Sequence, residues 1–155
     1  MVITVKHLVT SGTFSLDGGT WDVDNNVWLL GDDAECVVID APHDAAAILA
    51  AVGPRRLTAI LCTHAHDDHI DAAAALAEAT GAPIWLHPAD RELWDQTYPS
   101  RAPDRDLADG QTIIDSIRDR LLVLDPDTVV HTGHGSDTTI GAETPHLQEW
   151  IDRGH

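Results

Sequence analysis

Three histidines and two aspartates fall within six consecutive positions, in the segment His64–His69, which reads HAHDDH. An apolar run over residues 57–63 precedes the segment, and an alanine-rich stretch typical of a helix follows it. Imidazole nitrogens and carboxylate oxygens are ligands that suit zinc, iron or manganese. Because a strand end followed by a helix start is a rigid place for ligands, the segment predicts a metal site.

The spacing within the segment separates the histidines into two groups. Residues two apart at the end of an extended strand project to the same side, so His64 and His66 can reach one ion. Asp68 and His69 come next, at the start of the predicted helix, and face a second metal position beside the first. The pattern therefore favours ligands for adjacent metal positions rather than a solvated polar turn.

The elements around this segment alternate between strands and helices. We expect strands where short runs alternate or are apolar throughout, and helices between capping residues and glycine or proline stops. Such an order indicates an α/β layered structure, and the length predicts one domain spanning residues 1–155. The predicted strands are residues 3–9, 21–29, 36–39, 57–62, 84–86 and 128–131, and the predicted helices are residues 44–52, about 68–81, about 113–122 and 143–153.

The composition excludes several classes of partner. The formal net charge of −17 repels phosphate backbones and anionic lipid, so we expect neither nucleic acid nor a membrane as partner. We find no apolar run long enough to span a bilayer and no signal peptide. Cys36 and Cys62 lie in apolar runs and are expected to be buried thiols. These features predict a cytoplasmic protein with a small-molecule substrate, and leave the oligomeric state open.

The metal motif resembles the signature of the metallo-β-lactamase superfamily, and its surroundings look most like the bacterial glyoxalase II-like (hydroxyacylglutathione hydrolase-like) branch. Residues 37–42 resemble the family's strand that ends in an aspartate, here Asp40. Residues 129–138 are similar to its late GHG motif, and residues 116–121 to the helix before that motif. The resemblance implies the αββα sandwich, in which helices cover both outer faces of two packed sheets.

The same resemblance assigns roles to particular residues. It implies that His64 and His66 bind a first ion and that Asp68, His69 and His134 bind a second, with two zinc ions expected and iron or manganese as alternatives. It also implies that Asp68 orients a metal-bound hydroxide and takes its proton. Asp40 is expected behind the metal loop, as a hydrogen-bonding partner of the ligands.

One part of the family pattern is missing. Members carry a further histidine ligand and a bridging aspartate between the first motif and GHG, and neither is found between His69 and His134. We expect the gap between about residues 110 and 115, so that part of the second sheet is lacking. Either the deletion is real, or two segments of a longer chain are joined there. A continuous backbone would indicate a real deletion, and a broken one would indicate joined segments. We favour joined segments.

The remaining histidines and tryptophans have simpler interpretations. We interpret His87 and His131 as structural or surface residues rather than ligands. Four further histidines have no partner evident in the sequence and are expected to be exposed, while three tryptophans are expected in the core. The histidines are His7, His43, His146 and His155, and the tryptophans are Trp21, Trp28 and Trp85.

Three functions remain open on this sequence. The first is a metal-dependent hydrolase that cleaves a small-thiol thioester, or a related acyl ester, as the glyoxalase II-like resemblance implies. The chain stops after the helix that follows GHG, so we expect the C-terminal thiol-binding domain of a true hydroxyacylglutathione hydrolase to be absent. The second is a mononuclear iron persulfide dioxygenase of the same superfamily. The third is a catalytically silent metal-binding domain.

Overall fold

The computed structural model describes residues 2–107 and 117–153. The chain divides into two compact units, Met1–Ala108 and Asp109–His155. Residues 110–115, where we expect the missing segment, lie outside the described residues. Both that expectation and the expectation of one domain therefore remain predictions.

The first unit is built on a six-stranded sheet in which the strands follow their order along the chain, from β1 to β6. Strand β2 pairs antiparallel with both β1 and β3, whereas the pairs from β3 to β6 are parallel. Helices connect the parallel strands, as a parallel pairing requires. The strands are β1 (Thr4–Leu16), β2 (Gly19–Gly31), β3 (Glu35–Ile39), β4 (Arg56–Leu61), β5 (Ile84–Leu86) and β6 (Arg105–Asp106).

The β1–β2 hairpin is longer than its sequence pattern predicts. The two strands pair without interruption from Thr4 opposite Gly31 to Leu16 opposite Gly19. Asp17 and Gly18 form the turn with φ values of 50° and 81°. Such a left-handed pair matches the twist of the flanking strands and keeps them in register. The ladder therefore extends well beyond residue 9, where the predicted strand ended.

The first helix of this unit follows its prediction, whereas the second does not. Asp44 caps α1 by accepting the Ala47 backbone N–H at 2.9 Å, and Gly53 ends the helix at a φ of 65°. The predicted helix over residues 68–81 is wrong as one element, because it divides into α2 and α3. The helices are α1 (Ala45–Val52), α2 (Asp67–Ile70), α3 (Ala73–Thr80) and α4 (Arg91–Thr97), with a 3-10 turn at Pro88–Asp90.

Backbone hydrogen bonds to the loop after β3 cause this division. The carbonyl of His69 accepts the Ala41 N–H at 2.9 Å, and the carbonyl of Ala41 accepts the Ala72 N–H at 3.0 Å. These groups would otherwise bond within one continuous helix. The result ties the metal motif to the loop that carries Asp40.

The core of the first unit lies where the sheet meets its helices. Val27, Val38 and Ile60 of the strands and Ile48 of α1 are fully buried, as is Trp94 of α4. Burying each of these aliphatic side chains contributes about 1.5–3 kcal/mol. The tryptophan prediction is only partly correct: Trp28 is buried and Trp85 half-buried, but Trp21 is 53% exposed at the hairpin tip.

The second unit carries a two-stranded antiparallel sheet and short helices. The predicted strand at residues 128–131 is found as β7. The helix predicted over 143–153 begins earlier and is interrupted by a 3-10 turn at Thr144–His146, where Pro145 lacks an N–H. Of the helix predicted at 113–122, residues 113–116 lie outside the described residues. The elements are a π-helical segment (Ile117–Leu121), β7 (Val129–Val130), β8 (Thr138–Thr139), α5 (Ile140–Glu143) and α6 (Leu147–Arg153).

Together these elements make a mixed α/β structure, as the sequence predicts. Among the described residues, no helix combines the length and apolar character that crossing a bilayer requires.

Candidate metal centre

The predicted ligands of the first unit follow the carboxyl ends of two neighbouring parallel strands. Asp40 comes directly after β3, and the segment His64–His69 follows β4. Carboxyl ends of adjacent parallel strands open at the same edge of a sheet, which is where α/β proteins bind their ligands. The topology therefore brings these two loops together.

Asp40 lies behind the metal loop and holds it in place. Its Oδ1 accepts the Thr63 backbone N–H at 2.8 Å, and its Oδ2 accepts the Thr63 hydroxyl at 2.8 Å. The same Oδ2 lies 2.8 Å from Nδ1 of His69, and both side chains are buried. Asp40 has a φ of 57°, a left-handed conformation that non-glycine residues rarely adopt outside constrained sites. The structure thus places Asp40 in contact with Thr63 and His69; its predicted role behind a metal ligand stays a prediction.

The contact with Asp40 selects which nitrogen of His69 can bind a metal. A carboxylate accepts hydrogen bonds only, so Nδ1 of His69 carries the proton and Nε2 presents its lone pair. Nε2 lies 3.7 Å from Oδ2 of Asp68. Burial by itself lowers the pKa of His69, but the hydrogen bond to Asp40 and the surrounding carboxylate charges outweigh it and raise that pKa. His69 and Asp68 thus offer two adjacent, buried ligand atoms for a metal ion.

His64 and His66 form the second pair of donors. Nε2 of His64 lies 3.0 Å from Nδ1 of His66, and the two rings meet edge to face. The rings of His64 and His69 are also close, with centroids 4.1 Å apart. Burial, reinforced by the nearby His69 ring, lowers the pKa of His64 to about 4. His64 is therefore neutral at physiological pH, the form in which imidazole binds metals.

Asn25 on β2 is a site neighbour that the sequence analysis missed. Its amide Nδ2 donates to Oδ2 of Asp68 at 3.1 Å, and both side chains are buried. The contact joins residues 43 positions apart. No local pattern predicts such a pair, because asparagine is mostly found at exposed positions.

His43 is a second missed residue, and the expectation that it is exposed is wrong. Its side chain is only 4% exposed. Nε2 of His43 lies 2.8 Å from Oδ1 of Asn25, and Nδ1 lies 3.3 Å from Oδ2 of Asp71. The ring is buried because the long hairpin passes over the loop after β3. His7 and His146 are exposed as predicted, and His155 lies outside the described residues.

Asp67 attaches the tip of the β1–β2 hairpin to the metal loop. Both of its carboxylate oxygens lie 3.1 Å from the Ser15 backbone nitrogen, which donates to them. Phe14 packs beside His66, with ring centroids 5.2 Å apart. A cavity of about 210 Å³ lies next to this contact, lined by Ser15, Leu16, Ala65, His66, Asp67, Leu93, Gln96 and Thr97. The hairpin tip therefore forms one wall beside the candidate centre.

His134 belongs to the second unit, in the loop after β7. Its carbonyl accepts the Thr132 hydroxyl at 2.7 Å, and nearby His131 pairs with Asp137 at 2.9 Å. His134 is exposed within the described residues. Its participation in the second metal position stays a prediction.

Comparison with known proteins identifies the family. The model of the metallo-beta-lactamase superfamily matches residues 20–149 of this sequence. The chain belongs to the metallo-beta-lactamase superfamily. The predicted fold class is confirmed, and most members of this superfamily are hydrolases.

Relatives within the superfamily include both characterised and uncharacterised proteins. A Rhodococcus erythropolis protein described only as an uncharacterised 11.5 kDa protein is 45% identical over 69% of this chain and 91% of its own length. A hydroxyacylglutathione hydrolase of Jannaschia sp. is 42% identical over 72% of this chain, but the match spans only 40% of that enzyme. A di-iron-bound form of TTHA1623 matches with a TM-score of 0.67 and 25% identity, covering 79% of this chain and 93% of that one.

Metallo-beta-lactamase folds bind divalent metal ions, and the donors described above fit such ions. Two ligand atoms about 2.0–2.1 Å from a tetrahedral zinc lie about 3.3 Å apart. The observed separations bracket this value: 3.0 Å between the nitrogens of His64 and His66, and 3.7 Å between His69 Nε2 and Asp68 Oδ2. Imidazole and carboxylate donors suit zinc, iron and manganese alike. The residues present therefore fit metal binding without selecting one metal.

Proposed function

We propose that the protein is a metal-dependent hydrolase that cleaves the thioester of a small thiol or a related acyl ester. The observation that carries the proposal is the pairing of Asp40 Oδ2 with His69 Nδ1 at 2.8 Å. That pairing leaves His69 Nε2 beside the Asp68 carboxylate. Asp40 thus takes the place of a hydrogen-bonding partner that orients a metal-binding histidine. The similarity to a hydroxyacylglutathione hydrolase supports a thioester substrate, although this chain spans less than half of that enzyme.

The residues of the first unit would have two roles, metal binding and proton transfer. His64 and His66 would hold a first ion, and Asp68 and His69, with His134 as a further predicted ligand, a second. Bound divalent ions supply an activated water and polarise an acyl carbonyl. Asp68 is the carboxylate best placed to orient that water and accept its proton, because it is buried beside His69.

A thioester also suits a site whose carboxylates are assigned to metal binding and to accepting hydrogen bonds, and not to protonating a leaving group. A thiol has a pKa of about 8.5, so a thiolate departs without a strong general acid to protonate it. The net charge of −17 disfavours anionic polymers and membranes, which supports a small-molecule substrate. The cavity of about 210 Å³ beside His66 gives room for part of such a molecule.

The test is hydrolysis by protein loaded separately with zinc, iron or manganese, followed by measurement of the bound metal. A panel would contain a hydroxyacyl thioester of glutathione, simple acyl thioesters, a lactone and an oxygen ester. We expect thioester cleavage that Asp68→Asn and His64→Ala abolish. His146→Ala is the matched control, because His146 is exposed.

Two outcomes would overturn the proposal. Oxygen consumption with one bound iron and no hydrolysis would indicate a redox enzyme. Full metal loading with no turnover of any substrate would indicate a silent metal-binding domain.

A further inference from the structure

Asn25 is a completely buried polar side chain that faces the metal loop. It is 0% exposed on β2, and its Nδ2 donates to Oδ2 of Asp68 at 3.1 Å. A buried amide must satisfy both its oxygen and its nitrogen, so its orientation is constrained from both ends. The orientation matters here because a reversed amide would place its carbonyl oxygen against a carboxylate oxygen.

His43 supplies the constraint at the other end of the amide. Its Nε2 lies 2.8 Å from Oδ1 of Asn25. Because the Asn25 nitrogen is directed at Asp68, its oxygen must accept from His43, and Nε2 of His43 therefore carries a proton. This assignment leaves one orientation of the amide in which both partners are satisfied.

His43 is itself fixed by contacts on two sides. Its backbone N–H donates to the carboxylate of Asp71, which fixes the backbone that carries the ring. The ring packs directly over Gly12 of β1, where an added Cβ would collide with the His43 ring. His43 also has a φ of 61°, so its backbone is held in a left-handed conformation. The ring consequently has little freedom to turn away from Asn25.

We propose that Asn25 and His43 are positioning residues that fix the Asp68 carboxylate for binding the second metal ion. The inference rests on the metal site of the proposed function. The hydrogen bond from Asn25 holds Oδ2 of Asp68 in place. His43 acts on Asp68 only indirectly, by fixing the orientation of the Asn25 side-chain amide. Neither residue is assigned as a ligand.

The experiment compares Asn25→Leu with Asn26→Leu in the full chain. Asn26 is the next residue of the same strand, is also buried, and contacts His7 on the opposite side of the sheet. Zinc stoichiometry and affinity would be measured by competition with a chromophoric chelator, and the geometry of the site by the visible absorption of bound cobalt(II). Thermal unfolding of the metal-free variants reports any loss of fold.

We expect Asn25→Leu to bind the second zinc ion about 10–100-fold more weakly, the range typical for loss of a partner behind a ligand. Asn25→Leu should bind the first zinc ion with wild-type affinity, and Asn26→Leu should bind both ions with wild-type affinity. His43→Leu should reproduce the defect, whereas His43→Gln, which keeps an N–H donor near Asn25, should restore most of the affinity and the cobalt spectrum.

The inference fails if Asn25→Leu binds both ions with unchanged affinity and spectrum, or if Asn26→Leu weakens binding to the same extent. It also fails if His43→Gln is as defective as His43→Leu. Wild-type protein that binds two ions yet hydrolyses nothing would refute the proposed function alone, and the difference between the two asparagine variants would still support this inference.

Discussion

Asp40 and His69 meet at 2.8 Å although 29 positions separate them in the sequence. The contact joins the segments that follow two neighbouring parallel strands and sets the tautomer of a predicted metal ligand. Since Thr63 also donates twice to Asp40, one carboxylate organises the whole loop that carries the metal motif.

Replacing Asp40 should therefore weaken both metal binding and the fold. Asp40→Asn keeps the size but loses the charge and one acceptor, so we expect metal affinity to fall about 10–100-fold. The free energy of unfolding should fall by about 1–3 kcal/mol, because a buried partner is left unsatisfied. Chelator competition and urea unfolding measure the two effects. Asp44→Asn is the control, since asparagine caps a helix as well as aspartate does; equal losses in both variants would contradict the assigned role.

Removing the Asp67 carboxylate should release the hairpin tip from the metal loop. Asp67→Ala loses both contacts to the Ser15 N–H, and we expect about 0.5–1.5 kcal/mol less stability. Hydrogen exchange at residues 13–20 should accelerate, while exchange in β3 and β4 stays slow. Asp22→Ala, at an exposed position of the same hairpin opposite Thr13, is the control. Unchanged exchange in Asp67→Ala would show that the hairpin tip is held by other contacts.

The two cysteines should be unreactive in the folded protein. Cys36 and Cys62 are free thiols that are 2% and 0% exposed, and burial raises the pKa of each above its ordinary value. Because the thiolate is the reactive form, a chromogenic disulfide reagent at pH 8 should react slowly with native protein and rapidly with two thiols after denaturation. Fast reaction of either thiol in the native state would contradict this burial.

His64 should make the stability of the metal-free protein depend on pH. Burial lowers its pKa to about 4, whereas the unfolded chain keeps a value near 6.5. Between these pH values the unfolded state binds more protons than the folded state does. The contribution of His64 to the free energy of unfolding is therefore complete above pH 6.5 and is lost as the pH falls towards 4. Urea unfolding across this range should show wild type losing stability relative to His64→Asn. His146→Asn, at an exposed site, should follow wild type; parallel curves for wild type and His64→Asn would refute the assignment.

Much of the first unit could be predicted because its signals are local. Asp44 and Gly53 mark the ends of α1 through caps that act within a few residues. The apolar run before His64 predicts the strand that delivers the metal motif. The hairpin and the helix after the motif were predicted less well. In both, hydrogen bonds to another segment changed the length of the element.

The sequence by itself determined the family, the α/β class, the donor types and their position at a strand end. Only the tertiary structure decided that Asn25 and His43 stand behind Asp68 and that Asp67 binds the hairpin. These contacts join residues 18 to 52 positions apart, and they depend on strand order and register rather than on spacing along the chain. A polar residue in a strand or loop gives no sign of its partner until the sheet brings the two together.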